Sequence, residues 1–157
     1  MSTRFSPIGT LIVDDSEHDC LLLRAQLHSV PSVKVIGFVR DGIEALAYLR
    51  GIGRFRDREA FPFPDLMLLD YKMPRCDGMQ TLRFLQHGFS PRVILWSSAV
   101  EQIDVPLALQ LGADLVCAKP CCHRELVEII HRLEVKLFKN TFVAPPGRTH
   151  EAERVTL

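Results

Sequence analysis

The sequence predicts an α/β fold in which a parallel sheet is covered by helices on both faces. Short apolar segments, each ended by polar or turn residues, alternate along the chain with longer segments of helical periodicity. Continuous apolar runs of this length are typical of parallel strands that are buried on both faces. Five strands alternating with five helices therefore predict a three-layer, doubly wound sandwich with right-handed crossovers.

Length and charge narrow the class of protein. The chain has 157 residues, enough for one domain that buries about two-thirds of its unfolded surface. Its formal net charge is zero, so bulk electrostatics favour neither nucleic acid nor an anionic membrane. No apolar stretch has transmembrane length, the N-terminus lacks a signal-peptide core, and the five cysteines have no disulfide-framework spacing. We therefore expect a cytoplasmic protein that binds neither nucleic acid nor membrane.

The first strand and helix lie near the N-terminus. The apolar run 11–13 predicts a strand over 10–14. Ser16 can cap the helix that follows, which we expect over 17–29. The predicted buried face of this helix contains Leu21, Leu22 and Ala25.

The second strand is predicted over 33–39. Asp41 and Glu44 then have the spacing of a capping box at the start of a helix. The apolar side of that helix carries Ala45, Leu46, Tyr48 and Leu49. Residues 51–64 contain two glycines, two prolines and mixed charges, which predict a loop.

The third strand is predicted over 65–69, and the third helix begins at Asp77 and Gly78. Its apolar residues are Leu82, Phe84 and Leu85. The fourth strand covers 92–96, and Pro106 suits the first turn of a short helix over 105–111.

The fifth strand covers 114–118, and the last helix covers 122–139. The predicted core positions of this helix are Leu126, Ile129, Ile130, Leu133 and Leu137.

Five polar positions come directly after four of these apolar runs. Asp14 and Asp15 follow the first strand, Asp70 follows the third, and Ser97 and Lys119 follow the fourth and the fifth. Because the working site of a parallel sheet lies outside the carboxyl ends of its strands, these side chains are expected to converge. Clustered carboxylates repel one another unless a cation joins them, and Mg²⁺ is the hard divalent ion that suits them.

Four motifs occur in order along the chain. They are Asp14-Asp15, Asp70 in LLLDYKMPRCDGM, Ser97 in ILWSSA and Lys119-Pro120 in GADLVCAKP. Together with VRDGIEALAYL in the second helix, they resemble the receiver domain of response regulators, the CheY-like family. The resemblance implies a receiver domain over 8–139 with a flavodoxin-like sheet of strand order 2-1-3-4-5.

The resemblance also implies the function and its residues. Asp70 would accept a phosphoryl group from a phosphohistidine or a small phosphodonor, so the protein would be a switch in a two-component phosphorelay and not an enzyme. The implied Mg²⁺ ligands are Asp14, Asp15, Asp70 and the backbone carbonyl of Lys72. The implied phosphoryl contacts are the side chains of Ser97 and Lys119 and the backbone amides of Tyr71 and Ser98. The bond between Lys119 and Pro120 would be cis and would aim the lysine into the site.

The chain departs from the family three residues before the lysine. That position is often aromatic and changes rotamer on activation, but here it is Val116, which has little to rotate. Either the backbone of the 98–106 loop or another aromatic side chain would then carry the signal. A second function stays open beside the first, namely a dimeric interaction module that keeps the receiver fold but ignores phosphate.

The end of the chain predicts a partner surface. Residues 140–157 are expected to form a partly ordered extension, too short for an output domain. The predicted apolar strip on the last helix and the extension consists of Val127, Val135, Phe138, Phe142 and Val143. Such strips are typical of partner surfaces, so we predict a homodimer through this region.

The partner kinase is predicted from the layout of the chain. The long loop after the second helix and the C-terminal extension resemble the single-domain regulators that partner phytochrome-type histidine kinases. Any other sensor histidine kinase remains possible on this reasoning.

Two other chemistries are weaker alternatives. Cys117, Cys121, Cys122 and His123 lie close in sequence, but no second ligand pair has zinc-finger spacing. A haloacid-dehalogenase-type phosphatase would need a second acid two residues after Asp70, where this chain has Lys72.

Overall fold

A computed structural model describes residues 6–86, 90–120 and 122–143, with side chains as far as Glu134. The strands are β1 Ile8–Val13, β2 Val33–Val39, β3 Leu66–Asp70, β4 Arg92–Ser97 and β5 Leu115–Ala118. They form one parallel sheet in the order β2-β1-β3-β4-β5. The predicted doubly wound fold and its strand order are confirmed.

The helices follow the strands in regular alternation. They are α1 Glu17–His28, α2 Gly42–Arg50, α3 Gly78–Leu85, α4 Val105–Gln110 and α5 His123–Val143. Short 3-10 helices cover Gly53–Phe55, inside the predicted loop, and Val100–Gln102. α5 continues four residues beyond its predicted end at 139 and so crosses the boundary drawn between domain and extension. None of the helices in the described part of the chain combines the length and apolarity that a membrane span requires.

Two apolar clusters cover the two faces of the sheet. Helices α2, α3 and α4 pack on one face, where Tyr48, Leu82 and Ala108 are buried. Helices α1 and α5 pack on the other face, where Leu27 and Leu126 are buried. Each inner strand therefore contributes side chains to both clusters, which explains why the strands are continuous apolar runs.

The predicted buried face of α1 is wrong, and the predicted face of α3 is wrong at one residue. In α1, Leu21 and Leu22 are 60% and 52% exposed, and Ala25 is exposed as well. The buried residues of α1 are Cys20, Leu23 and Leu27. These positions are spaced by three and four residues and form one stripe on the helix. The predicted face was chosen because its residues are apolar, and adjacent residues such as Leu21 and Leu22 point in different directions on a helix. In α3, Phe84 is exposed beside buried Leu82 and Leu85 for the same reason.

The predicted core of α5 agrees with the structure where side chains are described. The buried residues are Leu126, Ile129, Ile130 and Leu133. Leu137 lies outside the described side chains.

Side chains cap the helices whose N-termini border the candidate site. The Ser16 hydroxyl accepts the amide of Asp19 at 3.2 Å. Asp41 accepts the amide of Glu44 at 2.9 Å, as predicted, but the Glu44 carboxylate accepts the amide of Arg40 and so does not complete the predicted capping box. A complete capping box forms at α3, between Asp77 and Gln80.

Gly78 lets α3 begin directly against the end of β3. Its amide donates to the carbonyl of Tyr71 at 3.0 Å. A Cβ added at Gly78 would lie 2.6 Å from the carbonyl oxygen of Asp70 and 3.0 Å from the Cα of Tyr71. Both neighbours are backbone atoms, so a side chain at this position would displace the segment that carries Asp70.

We therefore expect Gly78→Ala to lower the free energy of unfolding by about 3 kcal/mol. Urea denaturation monitored by circular dichroism measures this loss. Gly53→Ala is the contrasting control, because Gly53 has φ +60° with nothing within 4 Å of an added Cβ. Its loss comes from the left-handed backbone without a steric clash and is about 1 kcal/mol. Equal losses in the two variants would contradict the proposed steric role of Gly78.

Candidate functional site

Three carboxylates meet at the carboxyl end of the sheet. Asp14 and Asp15 follow β1, Asp70 ends β3, and the two strands are neighbours in the sheet. One carboxylate oxygen of each residue lies within 4.8 Å of the others. Asp14 and Asp70 are buried, whereas Asp15 is exposed. The structure thus brings together the acidic residues that the sequence singles out.

The Asp14 carboxylate has a fixed orientation. Its Oδ1 accepts the amide of Ser16 at 2.9 Å, which ties it to the N-terminus of α1. Its backbone amide donates to the carbonyl of Val39 at 3.0 Å. Oδ2 consequently faces the interior of the site and meets Lys119.

Lys119 reaches the acidic cluster from the end of β5. Its amide donates to the carbonyl of Ser97 at 2.9 Å. Its Nζ lies 2.6 Å from Oδ2 of Asp14, 3.3 Å from Oδ2 of Asp19 and 3.4 Å from Oδ1 of Asp70. Burial lowers the pKa of Lys119, but the hydrogen bond to Asp14 and the charges of Asp70, Asp14 and Asp19 together outweigh burial and raise the pKa overall. The side chain is therefore a charged ammonium held among carboxylates.

Burial raises the pKa of Asp70 to about 6, and the nearby charge of Asp14 adds to the rise. The positive charge of Lys119 opposes this rise without cancelling it. The single ammonium therefore does not compensate the buried negative charge fully. Three convergent carboxylates whose negative charge is not fully compensated fit a hard divalent cation such as Mg²⁺.

Lys72 lies beside the exposed edge of the acidic cluster. It lines an open pocket together with Asp15, Tyr71, Met73 and Asp77. Its carbonyl therefore stays a predicted ligand of the cation.

The hydroxyl and amides predicted to bind a phosphoryl group have different surroundings. Ser97 is buried at the end of β4, and its Oγ accepts the amide of Ala99 at 3.0 Å. Ser98 is exposed and lines a cavity with Lys119. The prediction for the Tyr71 amide is wrong, because that amide donates to the carbonyl of Trp96 at 2.9 Å and continues the β3–β4 ladder.

The predicted cis bond before Pro120 is also wrong. The described residues contain no cis peptide bond. A trans bond is the lower-energy state for a residue before proline, and Lys119 already reaches Asp14 with it.

Val116 lies beside Leu95 in the sheet and is partly buried against the cluster formed with α2, α3 and α4. A branched side chain of this size has little to rotate, so the absence of an aromatic switch at this position stays a prediction. The Tyr71 hydroxyl donates to the carbonyl of Gln102 at 3.2 Å. An aromatic side chain directly after Asp70 thus contacts the segment that precedes α4, as one of the two open interpretations requires.

The predicted dimer surface is described at one position. Val127 is 38% exposed. The side chains of the other members lie outside the described residues: Val135, Phe138, Phe142 and Val143. The homodimer stays a prediction.

The zinc alternative gains no support from the described part of the chain. There, the three carboxylates form the sole group of acidic, histidine or cysteine side chains that could hold a metal. Burial raises the pKa of Cys117 to about 11, against an opposing effect of Arg132, so its thiol stays protonated at neutral pH. Cys121 lies outside the described residues.

Asp19 is a residue of the site that the sequence analysis missed. It lies in the first turn of α1, and its carboxylate contacts Lys119 across 100 positions of sequence. The available signal was its place one helical turn after Asp15. That spacing alone predicts a favourable interaction with the helix dipole and no partner on a distant strand.

Residues 10–131 match the family model of the response regulator receiver domain. The chain belongs to the response regulator receiver family. The predicted family is confirmed, and this chain is a receiver domain of a two-component signalling protein.

The curated relatives of this receiver domain are longer proteins. Protein-glutamate methylesterase/protein-glutamine glutaminase 5 of Myxococcus xanthus is 38% identical over 120 residues, which are 75% of this chain and 32% of that protein. The chain spans about a third of the length of the curated relatives it matches.

Two solved structures share the receiver fold. The phosphorylated cyanobacterial phytochrome response regulator RcpA has a TM-score of 0.66 and 28% identity, and the match covers 82% of this chain and 92% of that one. A chain of the CheX-CheY-BeF3-Mg²⁺ complex from Borrelia burgdorferi has a TM-score of 0.64 and 26% identity, over 81% of this chain and 89% of that one.

Proposed function

We propose that Asp70 accepts a phosphoryl group and that the phosphorylated receiver then signals by a changed conformation or association. The observation that carries the proposal is the contact of Lys119 with Asp70 beside the convergent carboxylates of Asp14 and Asp15. A buried carboxylate next to an ammonium and a cation site is suited to attack a phosphorus atom, because the incoming charge is compensated on several sides.

The proposed transfer forms one bond and breaks one bond. An oxygen of the ionised Asp70 carboxylate attacks the phosphorus atom of the donor. The bond from phosphorus to the donor's nitrogen or oxygen breaks, and its electron pair leaves with the donor. The product is an acyl phosphate on Asp70, and no oxidant or other co-reactant is needed.

Asp14, Asp15, Asp70 and the carbonyl of Lys72 would hold Mg²⁺. When bound, the ion would neutralise charge on the transferring phosphoryl group. Lys119 would pair with a phosphoryl oxygen, which is supported by the 3.4 Å distance between its Nζ and Oδ1 of Asp70. Ser97 would donate its hydroxyl to another phosphoryl oxygen once its backbone contact rearranges.

The proposed donor is a phosphohistidine of a sensor histidine kinase. The likeness to a phytochrome response regulator supports a phytochrome-type kinase as the partner. Transfer from a phosphorylated phytochrome-type kinase should then be faster than transfer from a chemotaxis-type kinase at equal concentrations. Equal or reversed rates would remove the support for the phytochrome partner.

Acetyl phosphate tests the acceptor chemistry without a kinase. We expect intact-mass spectrometry to show a single phosphoryl adduct after incubation with acetyl phosphate and Mg²⁺, and to show none when EDTA replaces Mg²⁺. Circular dichroism confirms that the protein is folded in both samples. A folded protein without an adduct in Mg²⁺ would contradict the proposal and favour the phosphate-independent module.

A further inference from the structure

We propose that Asp19 is a positioning residue that keeps Lys119 in the site when a divalent cation occupies the carboxylate cluster. The inference rests on the proposed function, since it concerns the same cation and the same acceptor. It assigns a role to a side chain that the cation and phosphoryl chemistry described above leaves unused.

Lys119 has as many carboxylate neighbours as it has N–H donors. Its Nζ is 2.6 Å from Asp14, 3.3 Å from Asp19 and 3.4 Å from Asp70. An ammonium group carries three donors. Asp14 and Asp19 accept hydrogen bonds from it, and Asp70 lies within ion-pair distance. The ammonium is shared between the acidic cluster and one carboxylate outside it.

A cation bound by the acidic cluster would change which carboxylates contact Lys119. Asp14 and Asp70 belong to the group that can hold a metal, whereas Asp19 does not. A divalent ion would therefore compete with Lys119 for Asp14 and Asp70 and would repel the ammonium. Asp19 is the one of the three carboxylates that can hold Lys119 without giving up a cation ligand.

The position of Asp19 suits this role. The first turn of α1 holds its backbone, whose amide donates to the Ser16 hydroxyl at 3.2 Å. Its side chain is 45% exposed, against 3% for Asp14 and 8% for Asp70, so it can move with Lys119 at little cost. Burial raises the pKa of Asp19, but the charge and hydrogen bond of Lys119 and the contact with His18 together outweigh burial and lower the pKa overall, which keeps the carboxylate ionised.

The affinity for Mg²⁺ alone measures this role without phosphorylation. The fluorescence of Trp96, the single tryptophan of the chain, can report binding because Trp96 lines a cavity with Asp14, Asp19 and Lys119. We expect Asp19→Asn to weaken Mg²⁺ binding by about three- to tenfold, since Lys119 then depends on the cation ligands alone.

Glu17→Gln is the matched control. Glu17 is an exposed carboxylate in the same helical turn, and it is not among the three carboxylates that contact Lys119. Its loss removes the same charge from the same region, and screening by salt limits the effect to less than about twofold.

The Lys119→Gln background separates the positioning role of Asp19 from the effect of removing one negative charge near the cation site. In Lys119→Gln, the added Asp19→Asn change is expected to have no larger effect than Glu17→Gln, because there is no ammonium left to hold. Equal effects of Asp19→Asn and Glu17→Gln in the wild-type background would overturn the inference. The inference would also be overturned if Asp19→Asn lowered the Mg²⁺ affinity equally in the presence and in the absence of Lys119.

Failure of the proposed function looks different from failure of this inference. If the wild-type protein shows no saturable response to Mg²⁺, both are overturned. If the wild type binds Mg²⁺ and only the comparison between Asp19 and Glu17 fails, the cation site stands and the role of Asp19 is rejected.

Discussion

Asp70→Asn is expected to abolish the phosphoryl adduct formed with acetyl phosphate and Mg²⁺. The amide nitrogen and oxygen that replace the carboxylate are far weaker nucleophiles, and the variant loses one of the three carboxylates of the cation site. Intact-mass spectrometry over a time course measures the loss. Because the acceptor itself is removed, the expected effect is complete within detection and not a change of rate.

Asp77→Asn is the control for this variant. Asp77 lines the pocket beside Asp15 and Tyr71, and its carboxylate accepts the amide of Gln80 at 2.8 Å as the cap of α3. Asparagine caps a helix about as well as aspartate, so this variant should keep both its fold and its adduct. An adduct that persists in Asp70→Asn, or that disappears in Asp77→Asn, would contradict the assignment of Asp70.

The second large effect is on the pH dependence of stability. Without a divalent cation, the free energy of unfolding of the wild type should fall by about 2–3 kcal/mol, relative to Asp70→Asn, between about pH 4 and pH 6. Burial raises the pKa of Asp70 from 3.8 in the unfolded chain to about 6, so the folded state binds more protons in this interval. The contribution of protonated Asp70 to the free energy of unfolding is fully present below about pH 4 and is lost as the pH rises through about 6.

Urea denaturation in EDTA at several pH values measures this difference. The asparagine in Asp70→Asn does not titrate, so its stability profile contains every contribution except that of Asp70. Mg²⁺ should remove most of the loss in the wild type, because a bound cation favours the ionised carboxylate. Parallel profiles of the two proteins in EDTA would contradict the raised pKa of Asp70.

The fold could be predicted because its signals are local. The buried strands are runs such as Leu66–Leu69, in which every side chain must be apolar because both faces of the sheet are covered. The acidic cluster followed from the same reasoning, since Asp14 directly follows β1, Asp70 ends β3, and parallel neighbouring strands end at the same edge of the sheet.

The wrong predictions concern features for which a short stretch of sequence is compatible with two arrangements, such as the buried face of a helix or the end of a strand pairing. The apolar residues Leu21 and Leu22 suggested a buried face for α1, but packing on the sheet and beside α5 buries the stripe of Cys20, Leu23 and Leu27. The amide of Tyr71 seemed free for a phosphoryl group because the length of the β3–β4 ladder is not visible in either strand alone.

The sequence by itself determined the architecture of this protein and the residues that end its strands, since these follow from apolar periodicity and from the direction of parallel strands. Only the tertiary structure decided how Lys119 divides its contacts. Asp14, Asp19 and Asp70 meet its ammonium from α1 and from two strands, at sequence separations of 105, 100 and 49 residues. Contacts of this kind depend on distances of a few tenths of an ångström between elements that pack together only after the whole sheet has formed.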